Sequence, residues 1–91
     1  MNRKIVPKSI KNKLLDESNH QCNICGAKKY LELCHIISMA IGGDNSYDNL
    51  IVLCPTCHDT IDRSQIEPDD LRLMRQNWIN KKVLGKNIIF N

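Results

Sequence analysis

Two Cys-x-x-Cys pairs, Cys22-Asn-Ile-Cys25 and Cys54-Pro-Thr-Cys57, constrain this chain more than any other feature. They bracket residues 26–53 and offer four soft thiolates, the complement of one tetrahedral Zn²⁺. A hairpin between the pairs is the simplest way to bring them together. A site closed by four thiolates has no position left for water, so its ion is structural rather than catalytic. The reading suits the length. A chain of 91 residues with four aromatic side chains (Tyr30, Tyr47, Trp78 and Phe90) builds only a thin core, and domains of that kind usually carry a staple.

The staple is read as metal rather than disulfide. No apolar N-terminal run resembles a signal peptide, no stretch approaches the ~18 apolar residues of a membrane span, and paired Cys-x-x-Cys motifs in a reducing compartment point to metal. The expectation is a cytosolic protein without a membrane partner. Charge says little about other partners. The net charge of +3 counts neutral thiols; ionising four removes four charges and Zn²⁺ returns two, leaving a value near +1. Attraction to nucleic acid must then come from local clusters and a second bound cation.

Along the chain, residues 1–7 are a basic lead-in ending at Pro7. Residues 8–18 are predicted helical, with Ile10, Leu14 and Leu15 apolar and Asn19 and His20 closing the helix. A zinc knuckle follows at Cys22–Gly26, where glycine supplies the positive φ of a tight turn. Residues 30–37 are predicted as a strand, 38–49 as a loop containing Gly42-Gly43-Asp44-Asn45-Ser46, and 50–53 as a short apolar strand. Residues 55–62 suit the first turns of a helix, with Pro55 near its start. Pro68 starts another, with Asp69 and Asp70 at its positive dipole end, an apolar face of Leu71, Met74, Trp78 and Ile79, and Gly85 as its stop. The tail from Asn87 is an edge strand or a docking segment, its Ile88, Ile89 and Phe90 folded back or set against a partner.

A second constellation, His35, Asn49 and His58, lies between and just after the cysteine pairs. With Leu31-Glu-Leu-Cys-His-Ile-Ile37, Gly42-Gly43-Asp44, Asp48-Asn49-Leu50 and Leu53-Cys-Pro-Thr-Cys-His58, the pattern over about residues 14–62 resembles the HNH endonucleases, in their zinc-stapled form. The resemblance implies an α+β fold: a small zinc-stabilised ββα-metal, treble-clef-like domain with flanking helices. Residues 1–91 would be a single HNH nuclease-like domain, with its zinc core at about 20–64 and a C-terminal helix at about 68–84.

The same resemblance implies metal-dependent nicking or cleavage of DNA. His35 would be the general base, Asn49 would hold the loop that orients it, and His58 would ligate a catalytic divalent ion such as Mg²⁺, Mn²⁺ or Ni²⁺. The chemistry agrees: imidazole titrates near neutral pH, and a cation neutralises charge building on the phosphate. Asp62, four residues beyond His58, shares its helical face and is a second candidate ligand. The chain departs from the family at Cys34, where histidine or aspartate normally ligates the metal. A thiol is a poor Mg²⁺ ligand and a good one for softer ions. Three consequences stay open: Asp62 replaces it, the metal preference shifts towards a site including Cys34, or catalysis is weak. The loop Ser38–Ile41 also lacks the proline and basic residues often found in relatives.

Bland alternatives stand beside these. Cys34 also suits a buried apolar position, His58 a partner of the structural zinc, and Asp62 a solvated helix surface. His20 is read as surface, and Trp78 as core rather than a base-stacking platform. The basic residues Lys8, Lys11, Lys13, Arg63, Arg72, Arg75, Lys81 and Lys82 are read as solvated charges, with Arg63 the favoured phosphate contact. A single unit this small has little surface for reading bases, so specificity would come from a homodimer or a partner protein. The rival function is a zinc-binding DNA or protein adaptor without catalysis; a thiol redox switch at Cys34 is a third.

Overall fold

Leu50–Leu53 is an uninterrupted apolar run, and such a strand needs cover on both faces. In the computed structural model, which describes residues 6–87, it has that cover. The elements run α1 (Lys8–Ser18), β1 (Glu32–His35), two 3₁₀ turns (Met39–Ile41 and Tyr47–Asn49), β2 (Leu50–Leu53), α2 (Pro55–Ser64) and α3 (Pro68–Asn87). β1 and β2 form an antiparallel hairpin pairing Glu32 with Leu53, Leu33 with Val52, Cys34 with Ile51 and His35 with Leu50. Strand alternation then sorts the core into two layers. Leu50 and Val52 pack with Leu14, Ile10 and Leu15 of α1. Ile51 and Leu53 pack with Cys22, Cys34, Ile36, Cys54 and Leu71. This α+β arrangement, with four cysteines clustered at one end of the hairpin, is that of a ββα-metal domain.

Helix boundaries follow local chemistry. Asn19 caps α1 at φ 63°, its N–H donating to Asp16 O at 3.1 Å while that of His20 donates to Leu15 O at 2.8 Å; asparagine tolerates this left-handed conformation. Cys54 caps α2, its Sγ accepting from the N–H of Cys57 at 3.4 Å, and Pro55 follows at the first helical position.

Three expectations need correction. β1 is half as long as predicted, because Tyr30 sits at φ 59° and is 81% exposed, outside the strand. α3 continues through Gly85 to Asn87, since one glycine inside a helix costs only about 1 kcal/mol. Arg75 is not a solvated charge: it is 9% exposed, and its Nη1 donates to Tyr47 O at 2.8 Å and Leu50 O at 2.9 Å. Its guanidinium lies 4.2 Å from the centre of the Tyr47 ring, with Lys13 Nζ at 4.4 Å, and the Tyr47 hydroxyl donates to Glu17. One aromatic ring thus ties α1, the loop and α3 together. Trp78 is half-buried at the edge of the core, with Nε1 donating to Ser18 O at 2.9 Å. The lead-in through Ile5 and the Ile88–Asn91 tail lie outside the described residues. Among the described residues no helix is long and apolar enough to cross a membrane.

Candidate functional site

The first metal-binding group is assembled by two tight turns. In the knuckle, Cys22 N–H donates to Ala27 O at 2.8 Å and Gly26 N–H to Cys22 O at 3.0 Å. Gly26 holds φ 82°, and a Cβ there would meet the Trp78 ring at 3.3 Å. Asn23, between the two cysteines, is buried and fastens the knuckle to the hairpin: its N–H donates to Val52 O at 2.8 Å, and its Oδ1 accepts from Val52 N–H at 2.9 Å.

The Sγ atoms of Cys22, Cys25, Cys54 and Cys57 all lie within 4.8 Å of one another, with Cys25 and Cys54 at 3.6 Å. Sulfurs ~2.3 Å from a tetrahedral Zn²⁺ stand about 3.8 Å apart, so the four thiols fit the ion. Their electrostatics ask for one. Burial raises the Cys22 thiol, but the N–H groups of Cys25, Ile24 and Cys54 outweigh it and bring its pKa from 9.0 down to about 7. Cys57 is pushed far up, first by burial and then by the crowding sulfurs of Cys25, Cys22 and Cys54. Only a cation allows the whole set to ionise together.

The second group lies where β1 meets α2. Glu32 and Cys34 share one face of the strand, and His58 reaches them from the first turn of the helix. One donor atom from each lies within 4.8 Å of the other two. His58 Nδ1 donates to Glu32 Oε1 at 2.7 Å, and its Nε2 stands 3.6 Å from Asp62 Oδ2. Cys34 is buried in the apolar layer, so both its bland reading and its metal reading have structural footing. Burial, then the charges of Glu32, Asp62 and Cys22, push its thiol up to about 12 without an ion. Asp62 borders this group but is not one of the three. Glu32 had drawn no attention in the sequence; the signal was its two-residue spacing from Cys34 on a strand.

His35 is outside both groups. Its Nε2 donates to Asn45 Oδ1 at 2.7 Å, and since an amide oxygen only accepts, the neutral ring keeps its proton on Nε2 and its lone pair on Nδ1. Asn45 was also unmarked in the sequence. Asn49, 5% exposed, clamps the loop: Oδ1 accepts from Ile37 N–H at 2.8 Å, while Nδ2 donates to Ile37 O at 3.0 Å and Asp44 O at 2.8 Å. Gly43 completes the fit, since a Cβ there would sit 1.7 Å from Ile37 O. Arg63 is exposed on α2 and pairs with Asp59 at 3.2 Å, and the exposed His20 faces Asp16 at 3.5 Å.

Comparison with known proteins agrees with this arrangement. Residues 22–64 match the family model described as HNH endonuclease. The chain is also 29% identical over 77 residues to the type IV methyl-directed restriction enzyme EcoKMcrA of Escherichia coli (strain K12). That similarity covers 75% of this chain but 28% of the length of the restriction enzyme. The cysteine-bracketed core of the chain, residues 22–64, is thus similar to the HNH endonuclease domain.

Proposed function

We propose that the chain nicks or cleaves DNA by hydrolysing phosphodiester bonds, with His35 as general base and a divalent ion at His58. The observation that carries this reading is the division of labour at the end of β1. Neighbouring residues serve different partners there: Cys34 stands in the donor group with His58, while the His35 ring is tethered by Asn45 in the loop that Asn49 pins. A base must be held without being consumed as a metal ligand, and this arrangement does so.

In the proposed reaction His35 Nδ1 takes the proton of the attacking water, and the Nε2–H bond to Asn45 keeps the ring from rotating away. Asn49 acts at one remove, fixing the strand end and the loop to each other. The divalent ion, when bound, stabilises charge on the phosphate and on the leaving oxygen. Zn²⁺ in the four-cysteine site holds the knuckle against α2 and takes no part in the chemistry. Arg63 is the proposed phosphate contact, released from Asp59 as DNA approaches. Residues 1–91 act as one nuclease-like unit, with 20–64 as its core. A second copy or a partner protein supplies sequence preference, and the activity operates in the cytoplasm.

The test is cleavage of supercoiled plasmid by the pure chain, with Mg²⁺, Mn²⁺, Ni²⁺ or Zn²⁺ added separately. Metal-dependent nicking that disappears in His35→Ala is the expected result. Equal inertness of wild type and His35→Ala, both folded and holding one zinc, would overturn the nuclease reading in favour of a zinc-binding adaptor.

A further inference from the structure

We infer that Glu32, Cys34 and His58 together hold the second ion, and that this mixed oxygen, sulfur and nitrogen set selects a borderline transition ion such as Zn²⁺ or Co²⁺ over Mg²⁺. The inference deepens the nuclease reading and rests on its placing of an ion at His58; it adds the ligands and the choice of metal.

The argument begins with contact. Two ligands bound side by side at about 2.1 Å from one ion stand ~3.0–3.4 Å apart, the larger figure for a tetrahedral ion. Glu32 Oε1 and His58 Nδ1 already approach to 2.7 Å, held by the proton that a metal would replace. Binding therefore exchanges that proton for the ion, and the thiol of Cys34 gives up its own to become a thiolate ligand. Two protons leave for one dication.

The donor types set the preference. Mg²⁺ takes hard oxygen ligands in octahedral array and keeps much of its water, and this group offers it one carboxylate. Thiolate and imidazole favour Zn²⁺, Co²⁺ and Ni²⁺. Three protein ligands leave a position open for a phosphate oxygen or water, unlike the closed four-cysteine site. Asp62 is excluded by its own geometry. It faces His58 Nε2, on the far side of the ring from Glu32, and one imidazole does not present both nitrogens to one ion.

The test uses the full chain carrying one Zn²⁺ in the four-cysteine site, titrated with Co²⁺ and followed by absorption and by metal analysis. Zn²⁺ is spectroscopically silent, so a thiolate-to-cobalt charge-transfer band growing with the second equivalent reports Cys34. The expected result is that this band appears, that millimolar Mg²⁺ does not displace the ion, and that Cys34→Ser abolishes the band. Glu32 is a half-exposed surface residue whose replacement spares the core. Glu32→Gln should weaken the second equivalent by about tenfold or more, the scale of loss at tuned metal sites, while Asp62→Asn leaves it within about threefold. Binding of the second equivalent without a charge-transfer band, displacement by Mg²⁺, or sensitivity to Asp62→Asn with indifference to Glu32→Gln would overturn the inference and leave the nuclease reading intact. Absence of any second ion in the folded wild type would overturn both.

Discussion

Arg75 gives the most quantitative test of how this domain holds together. Its guanidinium makes two hydrogen bonds to the carbonyls of Tyr47 and Leu50, both under 3.0 Å, and stacks on the Tyr47 ring. Hydrogen bonds from a charged donor contribute about 1.5–3 kcal/mol each, and the ring contact adds ~0.5–1 kcal/mol at a partly exposed site. Truncation to alanine leaves Leu50 O without its donor beneath α3, whereas water can reach the neighbourhood of the half-buried Tyr47. Discounting the second bond for that rescue gives a loss of about 3–4 kcal/mol for Arg75→Ala. The whole domain is worth only about 5–14 kcal/mol at its length. The assay is urea denaturation of zinc-loaded protein at fixed free zinc, since ligand binding to the folded state enters the measured stability. With a slope of about 1–1.5 kcal/mol/M for so small a domain, the midpoint should fall by ~2–4 M. Arg75→Lys keeps the charge but not the fork, and should lose about half as much. A fall below ~1 kcal/mol for Arg75→Ala, or a lysine variant as stable as wild type, would refute the view that this side chain locks α3 onto the hairpin.

Three further outcomes are expected. Gly43→Ala, which drives a methyl group into Ile37 O, should abolish nicking while the four-cysteine zinc and the far-UV circular dichroism are retained. Cys54→Ser should lose most of the ~10 kcal/mol that a structural zinc contributes to folding, seen as an unfolded chain with no bound zinc by metal analysis and circular dichroism. Burial, then the Glu17 hydrogen bond, pushes the Tyr47 phenol up; its ionisation is resisted only in the folded state, so stability should hold below about pH 10 and fall as pH rises beyond it. Tyr47→Phe should flatten that alkaline decline in denaturation midpoints, and an unchanged slope would sink the assignment.

What could be read from the amino-acid order was what short-range chemistry decides. The span of α1, the apolar strand 50–53, the proline starts of α2 and α3 and the meeting of two cysteine pairs all follow from signals within a few residues. What could not be read were polar side chains spent on the backbone of distant segments. Arg75 lies one turn past Leu71 on the buried face of α3, where periodicity marks the position but not a charge as its occupant; only the open carbonyls of Tyr47 and Leu50 explain it. Asn23 sits inside a metal motif and looks like a spacer until Val52 is beside it. Glu32 and Asn45 acquire meaning in the same way, from His58 and His35 across the fold. Tyr30 shows the converse: strand propensity predicted pairing, and the positive φ of the turn removed it.

The paired contact of Asn23 with Val52 also bears on how these chains meet one another. A two-stranded sheet normally leaves two unprotected margins along which further strands add, the usual route to aggregation. On β2 that margin is taken: Asn23 occupies both the donor and the acceptor of Val52, and Arg75 occupies the carbonyl of Leu50. Strand addition at β2 would first have to dislodge the zinc knuckle. Metal loading therefore guards this margin as well as the shape of the domain, and zinc depletion should open β2 to strand-to-strand aggregation before the chain is fully unfolded.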